Sequence, residues 1–153
     1  MMAQTSGLPF KVVFLPKEKV KEIFWLIKDD LNNILVKAEN GYDVNDVYNE
    51  LVNGDMQLWL VWDSENKTHK GFVITEILER PQFKIGSVFV MTGTERKRWQ
   101  YVAMQNLMEY AKANGCHKAI CLARKGWSKV FKAYGFKDTH LALEINLTNK
   151  EDK

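Results

Sequence analysis

The chain contains few of the residues that fix a disulfide-stapled or metal-stapled fold. Only two of its 153 residues are cysteines and three are prolines. Cys116 and Cys121 stand alone in apolar surroundings, with neither the spacing of a metal site nor enough partners for a disulfide framework. We therefore expect no bound metal and a reducing, intracellular environment.

Long apolar runs and a strong charge of one sign are also missing. No segment approaches the roughly 18 consecutive apolar residues of a membrane span, and residues 1–10 lack the basic patch and apolar run of a signal peptide. The net charge of +3 is too small to identify a partner by itself. We expect one domain at residues 10–149 without membrane contact, preceded by an extension at residues 1–9 and followed by a charged tail at residues 150–153.

Apolar periodicity predicts the secondary structure of the first half of the chain. An opening strand at Phe10–Leu15 is followed by an amphipathic helix or helix pair between Val20 and Leu35. Asp43 is a candidate N-cap for a further helix that ends near Asn53 and Gly54. Three strands then follow, at Met56–Asp63, Gly71–Leu78 and Ile85–Met91, of which the first two form an antiparallel hairpin.

The second half begins with a long helix from about Glu95 to Asn114, which Gly115 terminates in the left-handed conformation. The remaining predicted elements are a buried strand at Ala119–Ala123, a short helix at Trp127–Tyr134 and a last strand at Leu141–Leu147. The element order is β-α-α-β-β-β-α-β-α-β. It predicts an α/β fold with a mixed central sheet and helices on both faces.

This order resembles the GNAT superfamily of N-acetyltransferases, and two groups of residues support the resemblance. They are Ala111-Lys112-Ala113-Asn114-Gly115-Cys116 before a strand and Gly135-Phe136 after a short helix. Shorter words resemble GNAT-like proteins encoded by tailed phages and prophages, some of which are internal virion proteins: Met56-Gln57-Leu58-Trp59, Thr75-Glu76-Ile77 and Arg124-Lys125-Gly126-Trp127.

The resemblance implies acetyl-CoA binding at the start of the long helix. There the family pattern Arg/Gln-x-x-Gly-x-Gly/Ala lets bare backbone amides approach the pyrophosphate. In this chain the three patterned positions hold Glu95, Arg98 and Gln100, and no glycine occurs between Arg96 and Asn114. We therefore expect no cofactor, and acetyl-CoA only if basic side chains replace the missing glycines.

The resemblance also implies a tyrosine that protonates the departing thiolate, four residues before the Gly-Phe pair. That position holds Phe131, which has no proton to donate. Tyr134 lies directly before Gly135 and is the remaining tyrosine candidate. A common family asparagine at the end of the fifth strand aligns with Arg124.

A base that deprotonates an amine could come from the third strand. Glu76 and Glu79 are the two candidates, and the alternative for both is a solvated carboxylate or an ion pair with Arg80.

Basic residues form a possible anion-binding rim around the start of the long helix. Arg96, Lys97 and Arg98 begin that helix, and the resemblance places Arg124 beside it. The anion could be a phosphate of coenzyme A, a nucleic acid or an acidic protein, and the alternative is a solvated face.

Two main functions follow from these patterns, and a third, a small nucleic-acid-binding module, rests only on the basic rim. We favour a GNAT-fold protein of phage or prophage type that acts by binding a protein partner, as a minor virion component or an accessory protein, in the host cytoplasm or the virion. The alternative is a divergent acetyl-CoA-dependent N-acetyltransferase, so the sequence leaves open whether the protein is an enzyme.

Overall fold

The computed structural model describes residues 9–122 and 125–148. The chain divides into two compact units, the first ending at Leu122 and the second following it. Each unit is described by itself. Residues 1–8 of the predicted extension, the predicted tail and Arg124 lie outside the described residues.

The first unit is built on a five-stranded sheet. Its strands are β1 (Phe10–Leu15), β2 (Met56–Asp63), β3 (Thr68–Glu79), β4 (Lys84–Gly93) and β5 (Cys116–Cys121), which lie side by side in that order. The first four pair antiparallel, and β5 runs parallel to β4. The predicted mixed sheet and the β2–β3 hairpin are confirmed.

Two strands are longer than the sequence predicted. β3 begins at Thr68 rather than Gly71, and β4 ends at Gly93 rather than Met91. His69 therefore lies in β3, after the turn at residues 64–67. Its ring lies in the strand pair, partly buried, with Nε2 lacking a hydrogen-bond partner among the described residues, and burial lowers the pKa of this histidine.

Three helices cover one face of the sheet. They are α1 (Val20–Ile23), α2 (Lys28–Ala38) and α3 (Val44–Asn53), with 3-10 turns at Lys17–Lys19 and Phe24–Leu26. The predicted helix pair is thus confirmed as α1 and α2. Asp43 is the N-cap of α3, because its side chain accepts from the amide of Asp46 in a reciprocal capping box.

The core lies between these helices and the sheet. Its fully buried members include Ile27 just before α2, Leu31 of α2, and Phe72 and Ile74 of β3. Because side chains alternate along a strand, Glu76 lies on this same face and Thr75 on the opposite one.

The opposite face is covered by α4 (Arg96–Ala113). Trp99, in the first turns of this helix, has a fully buried side chain. A Cβ on Gly86 of β4 would lie 3.1 Å from Cβ of Ala111, which measures how closely helix and sheet approach. Gly115 ends the helix region with φ of 80°, as predicted.

The second unit contains a 3-10 turn (Lys125–Trp127) and a short helix, α5 (Ser128–Lys132). Phe131 is buried between the rings of Trp127 and Phe136. α5 is shorter than predicted, because the chain turns after Lys132 and Gly135 takes a φ of 95°.

The predicted last strand at Leu141–Leu147 was wrong. Its alternate residues Leu141, Leu143, Ile145 and Leu147 are 78–87% exposed. A strand forms only when its backbone pairs with a neighbour, and this segment has no such ladder within residues 9–122 and 125–148. Alternation of apolar residues was therefore not sufficient to predict a strand at residues 141–147. No helix among the described residues is long and apolar enough to cross a membrane.

Candidate active site

β4 extends past the end of β5. The two strands pair from Lys84 opposite Cys116 up to Val88 opposite Cys121. Beyond Val88, β4 continues to Gly93 with no β5 partner in the part of the chain that the structure describes. At the same level Phe89 is an extra residue that the β3–β4 register passes over. Such a bulge bends a strand. The edge of β4 beyond Val88, which has no β5 partner among the described residues, is called the split below.

Glu76 lies close to the split. On β3 it pairs with Ser87 of β4, one register position before Val88. Its side chain is half-buried, and no hydrogen-bond donor within the described ranges contacts its carboxylate. Burial raises the pKa of the Glu76 carboxyl, and the nearby charge of Glu50 on α3 raises it further. A carboxyl with a raised pKa is a better proton acceptor than an ordinary one.

An aromatic pair accompanies Glu76. The rings of Tyr42 and Phe89 meet edge to face with centroids 5.0 Å apart. Burial raises the pKa of Tyr42, and the charges of Glu76 and Glu50 raise it further. Three residues therefore lie near one another on the face of the sheet that α1 to α3 cover: Tyr42 from a loop, Glu76 from β3 and Phe89 from β4.

Glu79 does not share this environment. It is exposed at the end of β3 and pairs in register with Lys84. The neighbouring Arg80 donates to the Glu79 carbonyl at 3.4 Å rather than to its carboxylate. Of the two predicted bases, Glu76 is the half-buried one and Glu79 is the exposed one.

The start of α4 is anchored to the start of β3. The amide of Thr94 donates to the carbonyl of Lys70 at 2.8 Å, and the Trp99 indole donates to the carbonyl of Thr94 at 2.8 Å. Gly71 and Gly93 approach so closely that a Cβ on Gly93 would lie 2.6 Å from Cα of Gly71. Residues 93–98, called the α4 entrance below, are therefore fixed by short backbone contacts.

Glu95 is the N-cap of α4, in the left-handed conformation (φ 54°, ψ 34°) and without a side-chain capping bond. Its carboxylate instead forms ion pairs with Lys70 at 2.7 Å and Arg98 at 2.9 Å. Hydrogen bonds from Lys70 and then Arg98 lower the pKa of Glu95. The negative charge of Glu95, which by itself would repel a pyrophosphate, is thus compensated by these two cations.

The other predicted cofactor-binding residues belong to the first turn of α4. Arg96 donates from Nε to Oε1 of Gln100 at 2.9 Å, Lys97 is exposed, and the Arg98 guanidinium lies 4.8 Å from the ring centre of Phe10. The positions of the family's glycine loop are therefore helical. Arg124, the fourth predicted residue, lies outside the described residues.

The predicted tyrosine candidate belongs to the second unit. Tyr134 lies in the turn after α5, with its amide donating to the carbonyl of Phe131 at 2.9 Å. Phe131 is 6% exposed and serves as a packing residue. Nearby, Lys132 forms an ion pair with Asp138 at 3.1 Å. Among the residues described, no group of three metal-ligating side chains occurs.

Three residues around the split and the α4 entrance were not identified from the sequence: Lys70, Tyr42 and Phe89. Lys70 is 25 positions from its partner Glu95, and Tyr42 is 47 positions from Phe89. Separations of this size carry no periodic signal in a single sequence. Gly71 and Gly93 were the available hint that these segments meet, because a glycine near the end of an apolar strand permits close backbone contact.

No protein-family model and no curated protein sequence matches this chain. Solved structures do match. A predicted acetyltransferase from Clostridium acetobutylicum, determined with acetyl-CoA, is 21% identical with a TM-score of 0.68, and the match covers 94% of this chain and 99% of that one. An aminoglycoside acetyltransferase from an uncultured soil metagenomic sample is 14% identical, with a TM-score of 0.67 over 91% and 99%.

Glucosamine-6-phosphate N-acetyltransferase from Arabidopsis thaliana is also 14% identical, with a TM-score of 0.63 over 91% of this chain and 99% of that one. Nothing in these findings links the chain to phage or prophage proteins, so that narrower resemblance stays a prediction. At such low identities the matches establish the architecture alone. The five-stranded mixed sheet and its helices have the fold of the GNAT acetyltransferases.

Proposed function

We propose that this protein transfers an acyl group from an acyl-CoA thioester to an amine, with Glu76 as the proton acceptor. The observation that carries the proposal is the half-buried Glu76 beside the split, with a raised pKa and no donor on its carboxylate within the described residues. The GNAT fold supports the same reaction class. The expectation that no cofactor is used has no support from these comparisons.

Each residue near the split has a distinct task in this proposal. An acyl-CoA, when bound, supplies an activated thioester carbonyl. Glu76 accepts a proton from the ammonium form of the amine, which frees the lone pair that attacks the carbonyl carbon. The C–S bond then breaks, and the second proton lost by the nitrogen passes, directly or through water, to the departing coenzyme A thiolate, which leaves as the thiol. Tyr42 and Phe89 cover one side of Glu76 and reduce its contact with water, and Glu50 raises the affinity of the site for a proton.

The α4 entrance fits a diphosphate by charge and not by bare backbone. Lys70, Arg96, Lys97 and Arg98 supply the positive side chains, and the N-terminal end of a helix adds a favourable dipole. Side chains at Arg98 and Gln100 replace the two glycines of the family pattern. The chain would therefore hold the diphosphate with side-chain cations.

Calorimetric titration with acetyl-CoA tests the binding step. We expect saturable heat with a dissociation constant below about 1 mM, and weaker binding as salt rises because the contacts are between charges. An absence of heat at millimolar acetyl-CoA would refute the proposed reaction.

Substitution of Glu76 tests the chemical step. In a coupled assay of thiol release with a panel of primary amines, Glu76→Gln should lower kcat/KM by about 100-fold, since the amide cannot accept the proton. Glu79→Gln, on the same strand and exposed, is the matched control and should retain wild-type activity. Equal kcat/KM values for the two variants would exclude Glu76 as the base.

A binding role without acyl transfer is the second candidate. It is favoured by the helical conformation of residues 96–100 and by Phe131, which fills the family's tyrosine position and is buried. A protein partner, including a virion protein, would then use the basic α4 entrance or another surface. Calorimetry without an acetyl-CoA signal supports this role, and mass spectrometry of purified particles tests the virion form.

A further inference from the structure

A cavity lies between the end of β1 and the start of β2, with β3 between it and the split at β4. β1 pairs with β2 only as far as Leu15 opposite Leu58, and Pro16 follows. Proline has no amide hydrogen to donate to a neighbouring strand, and the chain enters the 3-10 turn at Lys17–Lys19. The first two residues of β2 therefore have no β1 partner, and the cavity beside them measures about 360 Å³. Small-molecule sites range from about 300 to 1,000 Å³.

The side-chain amide of Gln57, in the wall of this cavity, is oriented by two hydrogen bonds. The Trp59 indole can only donate, and it donates to the Thr75 hydroxyl oxygen at 3.1 Å. The single proton of that hydroxyl goes to the Gln57 side chain at 2.9 Å, so the atom facing Thr75 must be the amide oxygen Oε1. The two N–H donors on Nε2 consequently point away from Thr75.

Gln57 Nε2 has no acceptor in the part of the chain that the structure describes, although the residue is only 9% exposed. Within the same ranges, the fully enclosed side-chain polar atoms without a partner are His69 Nε2 and Asn106 Oδ1. Gln57 Nε2 is not among them, so it has open space beside it, and the cavity that Gln57 lines provides that space. A ligand that brings an acceptor oxygen would satisfy this donor, because an unpaired buried donor destabilises a folded protein.

Two further features of the cavity wall define the chemistry of such a ligand. Phe14 stacks on Tyr110 of α4 with ring centroids 5.5 Å apart, and 40% of Phe14 is exposed, which leaves a flat apolar surface. Lys17 is exposed beside Gly54 and makes no ion pair within residues 9–122 and 125–148. The acidic residue of the wall is Glu18.

We propose that this cavity binds a small aromatic carboxylate, whose ring lies against Phe14 and whose oxygens accept from Gln57 Nε2 and Lys17 Nζ. An aromatic ring matches the stacked wall, and a carboxylate supplies both the acceptors and the negative charge. The site is separate from the proposed acyl transfer. Gln57 pairs in register with Thr75, so both lie on the face of the sheet opposite Glu76.

Calorimetric titration of the full chain with phenylacetate tests the site. We expect the wild type to bind it with a dissociation constant below about 1 mM. Gln57→Glu keeps an oxygen for the Thr75 proton but places a carboxylate oxygen where Nε2 was. Binding at about pH 8 should then weaken at least about tenfold.

Two lysine variants form a matched pair. Lys17→Met removes the cation and should weaken phenylacetate binding about fivefold. Lys19→Met is the control, because Lys19 is exposed in the same 3-10 turn and does not line the cavity. Its affinity should equal that of the wild type. Equal weakening in the two variants would overturn the site, as would the absence of saturable heat with phenylacetate up to about 10 mM.

Two analogues separate the charge of the ligand from its shape. Phenylacetamide keeps a carbonyl acceptor without the charge and should bind more weakly than phenylacetate. Phenethylamine presents a cation, which Glu18 could attract but which Gln57 and Lys17 cannot bind, so we expect no saturable heat. Binding of the amine as tight as that of phenylacetate would overturn the carboxylate assignment.

Further controls cover misfolding and the location of the ligand. Thermal unfolding without ligand shows whether each variant is folded. If Gln57→Glu does not fold, Lys17→Met decides, because its side chain is exposed: a loss of affinity relative to Lys19→Met supports the site, and equal affinities overturn it. Glu76→Gln should bind phenylacetate as the wild type does, and a loss of affinity there would place the ligand at the split and overturn the inference.

Discussion

Two glutamates in this protein have opposite environments. Glu76, beside the split, is half-buried next to another acidic residue, and its pKa is raised. Glu95, at the α4 entrance, is bonded to two cations, and its pKa is lowered. The first holds a proton more readily than a free glutamate, and the second less readily. The same side chain is thus prepared for proton transfer in one region and for charge compensation in the other.

The difference follows from what each region can offer a carboxylate. Near Glu76, α3 and the Tyr42–Phe89 pair supply burial and a negative charge, both of which oppose ionisation. Near Glu95, Lys70 and Arg98 supply hydrogen bonds that favour it. The residues next to Glu76 and Glu95 in the sequence do not reveal this difference in pKa, because Glu50 and Lys70 come from other elements.

The largest expected effect comes from breaking the anchor of the Glu95 region. Gly93→Ala places a Cβ against the backbone of Lys70 and Gly71, where no side-chain rearrangement can relieve the contact. We expect a loss of about 3 kcal/mol in the free energy of unfolding, measured by urea denaturation. Gly126→Ala, with open space around its Cβ and no left-handed φ, should change the stability by less than about 0.5 kcal/mol. Similar losses in both variants would contradict the close approach.

A smaller effect is expected from removing the hydrogen bonds of Thr75, the residue before Glu76 in β3. Thr75, on the opposite face, accepts from the Trp59 indole at 3.1 Å and donates to Gln57 at 2.9 Å. Thr75→Val leaves both partners buried without this hydroxyl, at a cost of about 2 kcal/mol. Thr75→Ser keeps the hydroxyl and should cost no more than about 1 kcal/mol for the lost methyl group. Thermal and urea unfolding compare them, and a Thr75→Ser protein as unstable as Thr75→Val would rule out the hydrogen bonds as the cause.

Much of the fold could be predicted because its signals are local. A run of apolar residues on both faces placed β2, the three-four apolar spacing placed α4, and Asp43 marked the start of α3. The last strand failed because alternation specifies a face and not a partner. The family spacing placed a cofactor loop at residues 95–100, yet arginine, lysine and glutamine favour helix, and α4 begins at Arg96.

The candidate site was only half predictable. Glu76 was identifiable as a carboxylate near a strand end, but its advantage over Glu79 depends on Glu50 and on burial, which only the folded chain provides. The role of Glu95 was visible as a charge in an unexpected place. Its ion pair with Lys70 was not visible, since the rest of β3, a loop and β4 lie between the two residues in the sequence.

The smallest expected effect, and the sharpest comparison of the two regions, is the pH dependence of stability. The folded-state pKa of Glu76 lies above its unfolded value near 4.5, so the native state binds the proton more tightly and stability falls as pH rises through the interval between the two values. Glu95 behaves in the opposite way. Its folded pKa is depressed, so its contribution is present above the unfolded pKa and is lost as pH falls through the folded one.

Urea unfolding from about pH 3 to pH 8 separates these contributions. Relative to Glu79→Gln, the Glu76→Gln protein should be equally stable at the acid end and more stable at neutral pH, by less than about 1 kcal/mol because solvent screens a half-exposed carboxylate. Glu95→Gln should show the reverse sign, with a loss at neutral pH that disappears in acid. If both substitutions changed stability in the same direction at neutral pH, the two carboxylates could not be in the opposite environments described, and the assignment of Glu76 as the proton acceptor would fail.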